Sequence, residues 1–357
     1  MQTIAYDATV GIIGAGPLGV EFAIALKQAK ISYLQFDQGQ AGQMISNFPP
    51  ETIFFSSSEK IAIAGIPIQN SDQQKCSREE YLAYLRSVIM QNQLKINSYE
   101  EVNHVEKTQH EGFLLKTLSS RGVAKYRIQY LVLATGGTSK PRMLHVPGEA
   151  RLHVSTKLED PHKYFQKRVL VVGGKNSAAE AALRCYHAGA EVAMAIRKEH
   201  FDPNDVKYWI LPELLSCIAR EEIRCYYQSE VVEILSDSVL LRKKDISSSI
   251  DVPADFVIKA IGFEAEMKLF HQLGIPLIEP QDSPSYNEDS METTVENAFV
   301  LGTVAGGTQK KYRIFIENTH THVFKILQTL CAKLDIKEPS LGWQQQCIQE
   351  SSKRLEE

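Results

Sequence analysis

The sequence predicts an α/β fold made of two Rossmann-like dinucleotide-binding domains, the second inserted into the first. Three observations carry this. A short apolar strand at residues 10–13 runs into Gly14-Ala15-Gly16-Pro17-Leu18-Gly19 and then a helix at 20–28. A second strand–turn–helix begins at Arg168 and turns through Gly173-Gly174-Lys175-Asn176-Ser177. Each unit is closed by an apolar strand ending in glycine, Tyr130-Leu131-Val132-Leu133-Ala134-Thr135-Gly136 in one and Phe256-Val257-Ile258-Lys259-Ala260-Ile261-Gly262 in the other. The expected division is 1–152 with 268–334, an insert at 153–267 and a tail at 335–357.

In the first turn Gly14 permits the tight bend, Gly16 lets backbone approach a pyrophosphate, and Gly19 lets helix and strand pack closely. A second apolar strand at 32–36 ends in Asp37, at the spacing where a carboxylate binds an adenosine ribose. Gln38 opens a polar, glycine-punctuated loop, expected to cover a ligand, that contains Gln43 and Asn47. The run Phe54-Phe55-Ser56-Ser57-Ser58-Glu59-Lys60 reads on composition as a surface turn. A helix is predicted over 78–90 with Ser77 as its N-cap. Strands over 95–127, broken at Gly112 and at 119–122, predict an antiparallel sheet inserted before the closing strand. Residues 138–161, rich in Pro, Gly and His, read as a linker.

In the second unit a strand at 169–172, a helix at 179–188 and a strand at 191–196 are expected. Lys175 stands where the simple fingerprint has its middle glycine. No carboxylate follows the second strand; Arg197-Lys198 stand there, a pair suited to a 2′-phosphate, which points toward NADPH. The chain then returns to the first domain through Met291-Glu292-Thr293 and a strand ending in Leu301-Gly302-Thr303. A final helix is expected over 315–332.

With 357 residues and a formal net charge of -4, the chain has room for two cores and no charge bias toward nucleic acid or anionic membrane. No apolar run reaches transmembrane length and the start lacks a signal-peptide pattern, so a cytoplasmic location is expected. The six cysteines, Cys76, Cys185, Cys217, Cys225, Cys331 and Cys347, form no Cys-x-x-Cys pair and no zinc spacing. Each is expected to be a buried or half-buried thiol, and no metal site is expected.

The nested units resemble the thioredoxin-reductase type of flavoprotein. The Phe54–Lys60 run, Gly173-Gly174-Lys175-Asn176-Ser177, Trp209-Ile210-Leu211-Pro212-Glu213, Met291-Glu292-Thr293 and Phe315-Ile316-Glu317-Asn318 together resemble the YpdA-type family, the bacillithiol-disulfide (bacilliredoxin) reductases, over residues 9–334. The resemblance implies FAD in the outer domain, NADPH in the insert, and a homodimer or larger assembly. It implies FAD contacts from Gly14, Gly16, Pro17, Leu18, Gly19, Asp37, Gln38, Gln43, Asn47, Ser57, Ala134, Thr135, Gly136, Gly302, Thr303, Glu317 and Asn318. It implies NADPH contacts from Gly173, Gly174, Lys175, Asn176, Ser177, Arg197, Lys198 and Gly262. Lys175 is normal for that family, and the serine run becomes a cofactor-side element. The final helix is expected to begin near Ile316 and to aim its positive end at the flavin.

Two residues depart from the pattern. Leu18 stands where most members that reduce bacillithiol disulfide carry a cysteine, and Thr303 stands where the wider superfamily has an aspartate. The main expectation is hydride transfer from NADPH to FAD and on to a small-molecule or protein disulfide. A reductase feeding ferredoxin, flavodoxin or a quinone needs no cysteine and is the second. A flavin- or NADPH-binding sensor without turnover is the third.

Overall fold

A computed structural model describes residues 6–71, 74–109, 112–243, 249–309 and 313–344. The chain forms two compact units, Met1–Lys140 with Phe263–Glu357, and Pro141–Gly262. The junctions thus fall before the expected 152/153 and 267/268. Leu144 and Val146 pack on the core of the inserted unit, whereas Ala265 and Met267 are buried in the outer one.

The outer unit is built on a seven-stranded sheet. Strand β1 (Ala8–Ile13) leads into helix α1 (Pro17–Gln28), and β2 (Tyr33–Asp37) returns parallel to β1. Helix α2 (Arg78–Gln91) starts at the predicted cap, where the Ser77 hydroxyl accepts from the Glu80 N–H and the Glu80 carboxylate accepts from the Ser77 N–H. Such a reciprocal cap contributes about 1 kcal/mol. Strand β3 (Asn97–Ser98) pairs with β2; β4 (Glu101–Lys107), β5 (Phe113–Ser119) and β6 (Gly122–Leu133) follow as an antiparallel ribbon.

The ribbon is not a separate inserted sheet. The sequence from Val123 to Leu133 contains no glycine or proline, and β6 runs through as one 12-residue strand. Its first half pairs antiparallel with β5, and its second half lies parallel between β1 and the later strand Ala298–Val300. The core of this unit takes in both faces of α1 and also Leu341 and Trp343, so the tail packs on it as far as Trp343. The tail beyond residue 344 lies outside the described residues.

In the inserted unit β7 (Val154–Ser155), β8 (Arg168–Val172), α3 (Asn176–His187), β9 (Glu191–Ala195), α4 (Leu211–Ala219), β10 (Ile223–Tyr226), a three-stranded antiparallel layer (Ser229–Ile234, Ser238–Lys243 and Ser249–Pro253) and β11 (Phe256–Lys259) follow in order. The parallel sheet has the order β10-β9-β8-β11-β7. Strands β8 and β11 are near-continuous apolar runs, as a sheet covered on both faces requires. The order reverses between β8 and β11, which opens a crevice at their carboxyl ends.

Candidate functional site

The first glycine turn is held by its neighbours and left open on one side. Gly14 has φ +115°, and a Cβ there would overlap the Ala134 carbonyl oxygen; a Cβ at Gly19 would overlap the Gly14 carbonyl oxygen. Both glycines are therefore required by the protein's own backbone. Gly16 differs: its φ of -71° suits any residue, and a Cβ would meet nothing within 4 Å. Helix α1 opens at Gly16 with no side-chain cap, so its first turn presents backbone donors and the positive helix end. An open approach to uncapped amides suits a pyrophosphate.

Asp37 ends β2 beside this turn. Its Oδ2 accepts the Ala15 N–H at 2.7 Å and its Oδ1 the Gly39 N–H at 2.9 Å. Burial raises its carboxyl, and these two amides act in the opposite direction. Each oxygen keeps further lone-pair capacity for a ribose hydroxyl. Gln35, unmarked in the sequence as one strand residue among others, is fully buried and donates to the Gly14 carbonyl at 3.0 Å. Gln38 is exposed, and the Gln43 carboxamide oxygen accepts from the Gln40 N–H at 3.3 Å. Asn47 ends the short helix Gln43–Ser46.

Two buried hydroxyls lack a partner among the described residues, Thr135 Oγ1 and Ser58 Oγ. Thr135 is a predicted contact, and Gly136 next to it has φ +77°. In the serine run the predicted Ser57 hydroxyl donates to Glu59, so Ser58 holds the orphaned oxygen. An unpartnered buried hydroxyl costs on the order of 1–3 kcal/mol, and a polar ligand would satisfy it. The open Gly16 edge and the Thr135 hydroxyl thus fit a dinucleotide cofactor.

Leu18 is buried at 5% exposure, and Gly302 packs against it closely enough that a Cβ at Gly302 would lie 3.3 Å from Leu18 Cβ. The Gly302 N–H donates to His322 Nδ1 at 3.3 Å, and Thr303 Oγ1 accepts the Gly137 N–H at 3.0 Å. Thr303 therefore has a structural bond in place of the ligand-facing charge of an aspartate. His322, which no sequence motif marks, thus holds the Gly302 backbone. Burial, then the charges of Lys325 and His320, push its imidazole down to about 4, so it stays neutral with Nδ1 as acceptor.

The final helix α5 (His320–Lys333) begins later than predicted. Residues Ile316–Asn318 form a separate 3-10 turn, because Thr319 leaves helical geometry at φ -110° and its hydroxyl donates back to the Phe315 and Ile316 carbonyls. Asn318 caps that turn, accepting from the Phe315 N–H and donating to the Arg313 carbonyl, while Glu317 lies within the turn. His320 sits between two acceptors, Glu21 Oε2 at 2.7 Å and the Lys60 carbonyl at 3.3 Å. This pair ties α1, α5 and the serine run together. No periodicity signals it, because Glu21 lies on a helix that is buried on every side.

The second turn repeats the first in part. Gly173 has φ +136°, and a Cβ there would overlap the Ala260 carbonyl oxygen, just as Gly14 meets Ala134. Gly174 lies against Ile196, and Lys175 takes an extended conformation at the start of α3 with its side chain outward. Asn176 Oδ1 accepts the Lys207 N–H at 2.8 Å, and Ser177 is exposed. Lys198 pairs with Asp202 at 3.2 Å and Asp205 at 2.8 Å, whereas exposed Arg197 makes no ion pair with a described residue. Gly262, exposed with φ +94°, ends the segment after β11.

The family model for pyridine nucleotide-disulphide oxidoreductases matches residues 11–302, a span that includes both turns and Gly302. The chain belongs to this family. Bacilliredoxin reductase Bdr of Bacillus subtilis is 34% identical over 311 residues, covering 87% of this chain and 94% of that protein. The structure of bacillithiol disulfide reductase Bdr (YpdA) from Bacillus cereus matches at TM-score 0.85 and 33% identity, over 91% of this chain and 99% of the other. A T. acidophilum thioredoxin reductase shares the fold at TM-score 0.70 and 19% identity, over 93% and 100%. The YpdA resemblance and the two-domain α/β reading hold, and the chain is a thioredoxin-reductase-like flavin oxidoreductase that uses a pyridine nucleotide. Family membership sets the sensor reading aside.

Burial pushes Cys76, Cys185 and Cys225 each up to about 12 and raises Cys217 and Cys331. None of these is a poised thiolate. Cys347 lies outside the described residues. Among the described residues no group of His, Cys, Asp and Glu could hold a metal, and no helix is long and apolar enough to cross a membrane.

Proposed function

We propose that the chain is an FAD-containing, NADPH-dependent reductase of the cytoplasm, acting on a low-molecular-weight or protein disulfide of the bacillithiol type as a homodimer or larger assembly. The observation that carries the cofactor assignment is the Gly14–Gly19 turn. Its open Gly16 edge lies next to uncapped amides, and Asp37 stands fixed beside it. The open Gly16 edge and the uncapped first-turn amides of α1 would hold the pyrophosphate of FAD and Asp37 its ribose, with Gly14 and Gly19 shaping the turn. The orphaned Thr135 and Ser58 hydroxyls would complete polar contacts. When bound, the flavin supplies the two-electron chemistry between nicotinamide and acceptor.

In the insert, the Gly173–Ser177 turn would take the NADPH pyrophosphate, and Arg197 the 2′-phosphate. The likeness to Bdr supports a disulfide as acceptor. The balanced reaction is NADPH, a proton and RSSR giving NADP+ and two RSH. The protein's part is to bind and orient the two reactants; a disulfide acceptor also needs an attacking thiolate, which Leu18 cannot supply and for which no described cysteine is poised. Neutral His322 fixes the Gly302 backbone, and Leu18 fills the position beside it.

The second reading, transfer to ferredoxin, flavodoxin or a quinone, is favoured by one observation: Leu18 is packed, and the described cysteines are buried or, for Cys225, half-buried, with raised pKa values. One experiment separates the two. Protein reduced anaerobically by NADPH is mixed with bacillithiol disulfide, and in parallel with ferredoxin, flavodoxin and a quinone. Reoxidation by the disulfide with two thiols released per flavin is expected. Reoxidation by a one-electron carrier or quinone and by no disulfide would establish the second reading.

A further inference from the structure

The inserted unit carries a charge arrangement that nucleotide binding by its glycine turn does not require. Lys175 sits on the turn and Lys198 just beyond β9, and one carboxylate, Asp205, bridges them. Its Oδ1 lies 3.2 Å from Lys175 Nζ and its Oδ2 2.8 Å from Lys198 Nζ. Two oxygens of one anion on two ammonium groups is the contact a phosphate would make there. We propose that Asp205 is a built-in competitor for the nucleotide's phosphates, which must displace it from Lys175 and Lys198, so that this residue sets both nucleotide affinity and the preference for a 2′-phosphate. The proposal rests on the NADPH reading of this unit.

Three further observations support it. Asp202, the other partner of Lys198, is engaged locally, since its Oδ1 accepts the Asn204 N–H at 2.9 Å and Asn204 Nδ2 at 3.1 Å and so shapes the turn. Asp205, by contrast, spends both carboxylate oxygens on lysines, one on each. The segment is also anchored on both sides of Asp205, by buried Phe201 and Val206 in the core and by the Lys207 N–H on Asn176 Oδ1. Residues 202–205 are therefore a short span between fixed points, able to release two lysines without unfolding the unit. Both lysine side chains are more than half exposed, at 60% and 56%, which keeps the competing pairs weak enough to exchange.

The test uses the full-length, flavin-loaded protein and calorimetric binding of adenosine 2′,5′-bisphosphate and 5′-AMP. Asp205→Asn is expected to tighten the bisphosphate about three- to tenfold, from the loss of two exposed pairs, and to tighten 5′-AMP less. Repulsion at a distance would give a gain that does not depend on Lys198. Competition predicts that the gain shrinks in a Lys198→Met background. An Asp205→Asn variant with unchanged or weaker bisphosphate binding, or a gain undiminished in Lys198→Met, overturns the proposal while leaving a wild-type preference for the bisphosphate intact. A wild-type protein that binds the bisphosphate no better than 5′-AMP overturns the NADPH reading and this proposal with it.

Discussion

The two glycine turns share a scaffold and differ in what they offer a ligand. In each, a left-handed glycine, Gly14 or Gly173, passes under the carbonyl of the residue that follows the closing strand, Ala134 or Ala260. The shared glycine is thus a requirement of strand–turn–helix packing and carries no ligand information. The difference lies two residues on. Gly16 faces open space and can be approached by backbone contact, whereas Lys175 stands at the same place and brings charge. The acidic end of β2 is turned inward onto Ala15 and Gly39, while the end of β9 presents Arg197 and a neutralised Lys198. On the proposed cofactor assignment, the first turn would recognise by shape and the second by exchange of ion pairs.

The largest effect is expected at Gly14. Gly14→Val meets both a disallowed φ and the Ala134 carbonyl, so it should destabilise the flavin-free protein by about 3 kcal/mol or more and abolish flavin retention. Denaturant melts and flavin content measure both. Gly16→Val should leave the flavin-free protein melting within about 0.5 kcal/mol of wild type, since the space is open, yet lose the flavin. A variant that stays fully yellow would remove the cradle assignment.

His322 gives a pH signature. Its folded pKa of about 4 lies below the ordinary 6.5, so the unfolded chain binds the extra proton between these values. The stabilising contribution is complete above about pH 6.5 and is lost as pH falls toward 4, roughly 3 kcal/mol in all. His322→Gln should flatten stability across that window in denaturant titrations at several pH values.

In the second turn, Arg197→Ala should raise the Michaelis constant for NADPH about tenfold or more and leave that for NADH within about twofold. Equal effects on both would take the 2′-phosphate away from Arg197. The smallest effect is expected at Cys76. Its thiol is buried and its pKa raised to about 12, so Cys76→Ala should leave acceptor turnover within about twofold of wild type.

Much of the outer unit could be read from residues alone, because glycine spacing, the Ser77 cap and apolar runs are local signals. The nesting of the units was legible for the same reason. The β6 ribbon was misjudged because a strand can change partners midway without any mark in its sequence. The start of α5 was misplaced because Thr319 breaks the helix by back-bonding to carbonyls, which no propensity scale registers. His322, Gln35 and the Glu21–His320 pair were missed because their roles depend on contacts across distant segments. Ser57 and Ser58 are adjacent, and only the fold shows which hydroxyl lacks a partner.

The most direct measurement is anaerobic stopped-flow reduction of the purified yellow protein by NADPH and by NADH at equal concentrations. Bleaching of one flavin per chain is expected, several-fold faster with NADPH at sub-saturating nucleotide. A protein that carries no flavin, or whose flavin is reduced by neither nucleotide, would contradict the cofactor assignment.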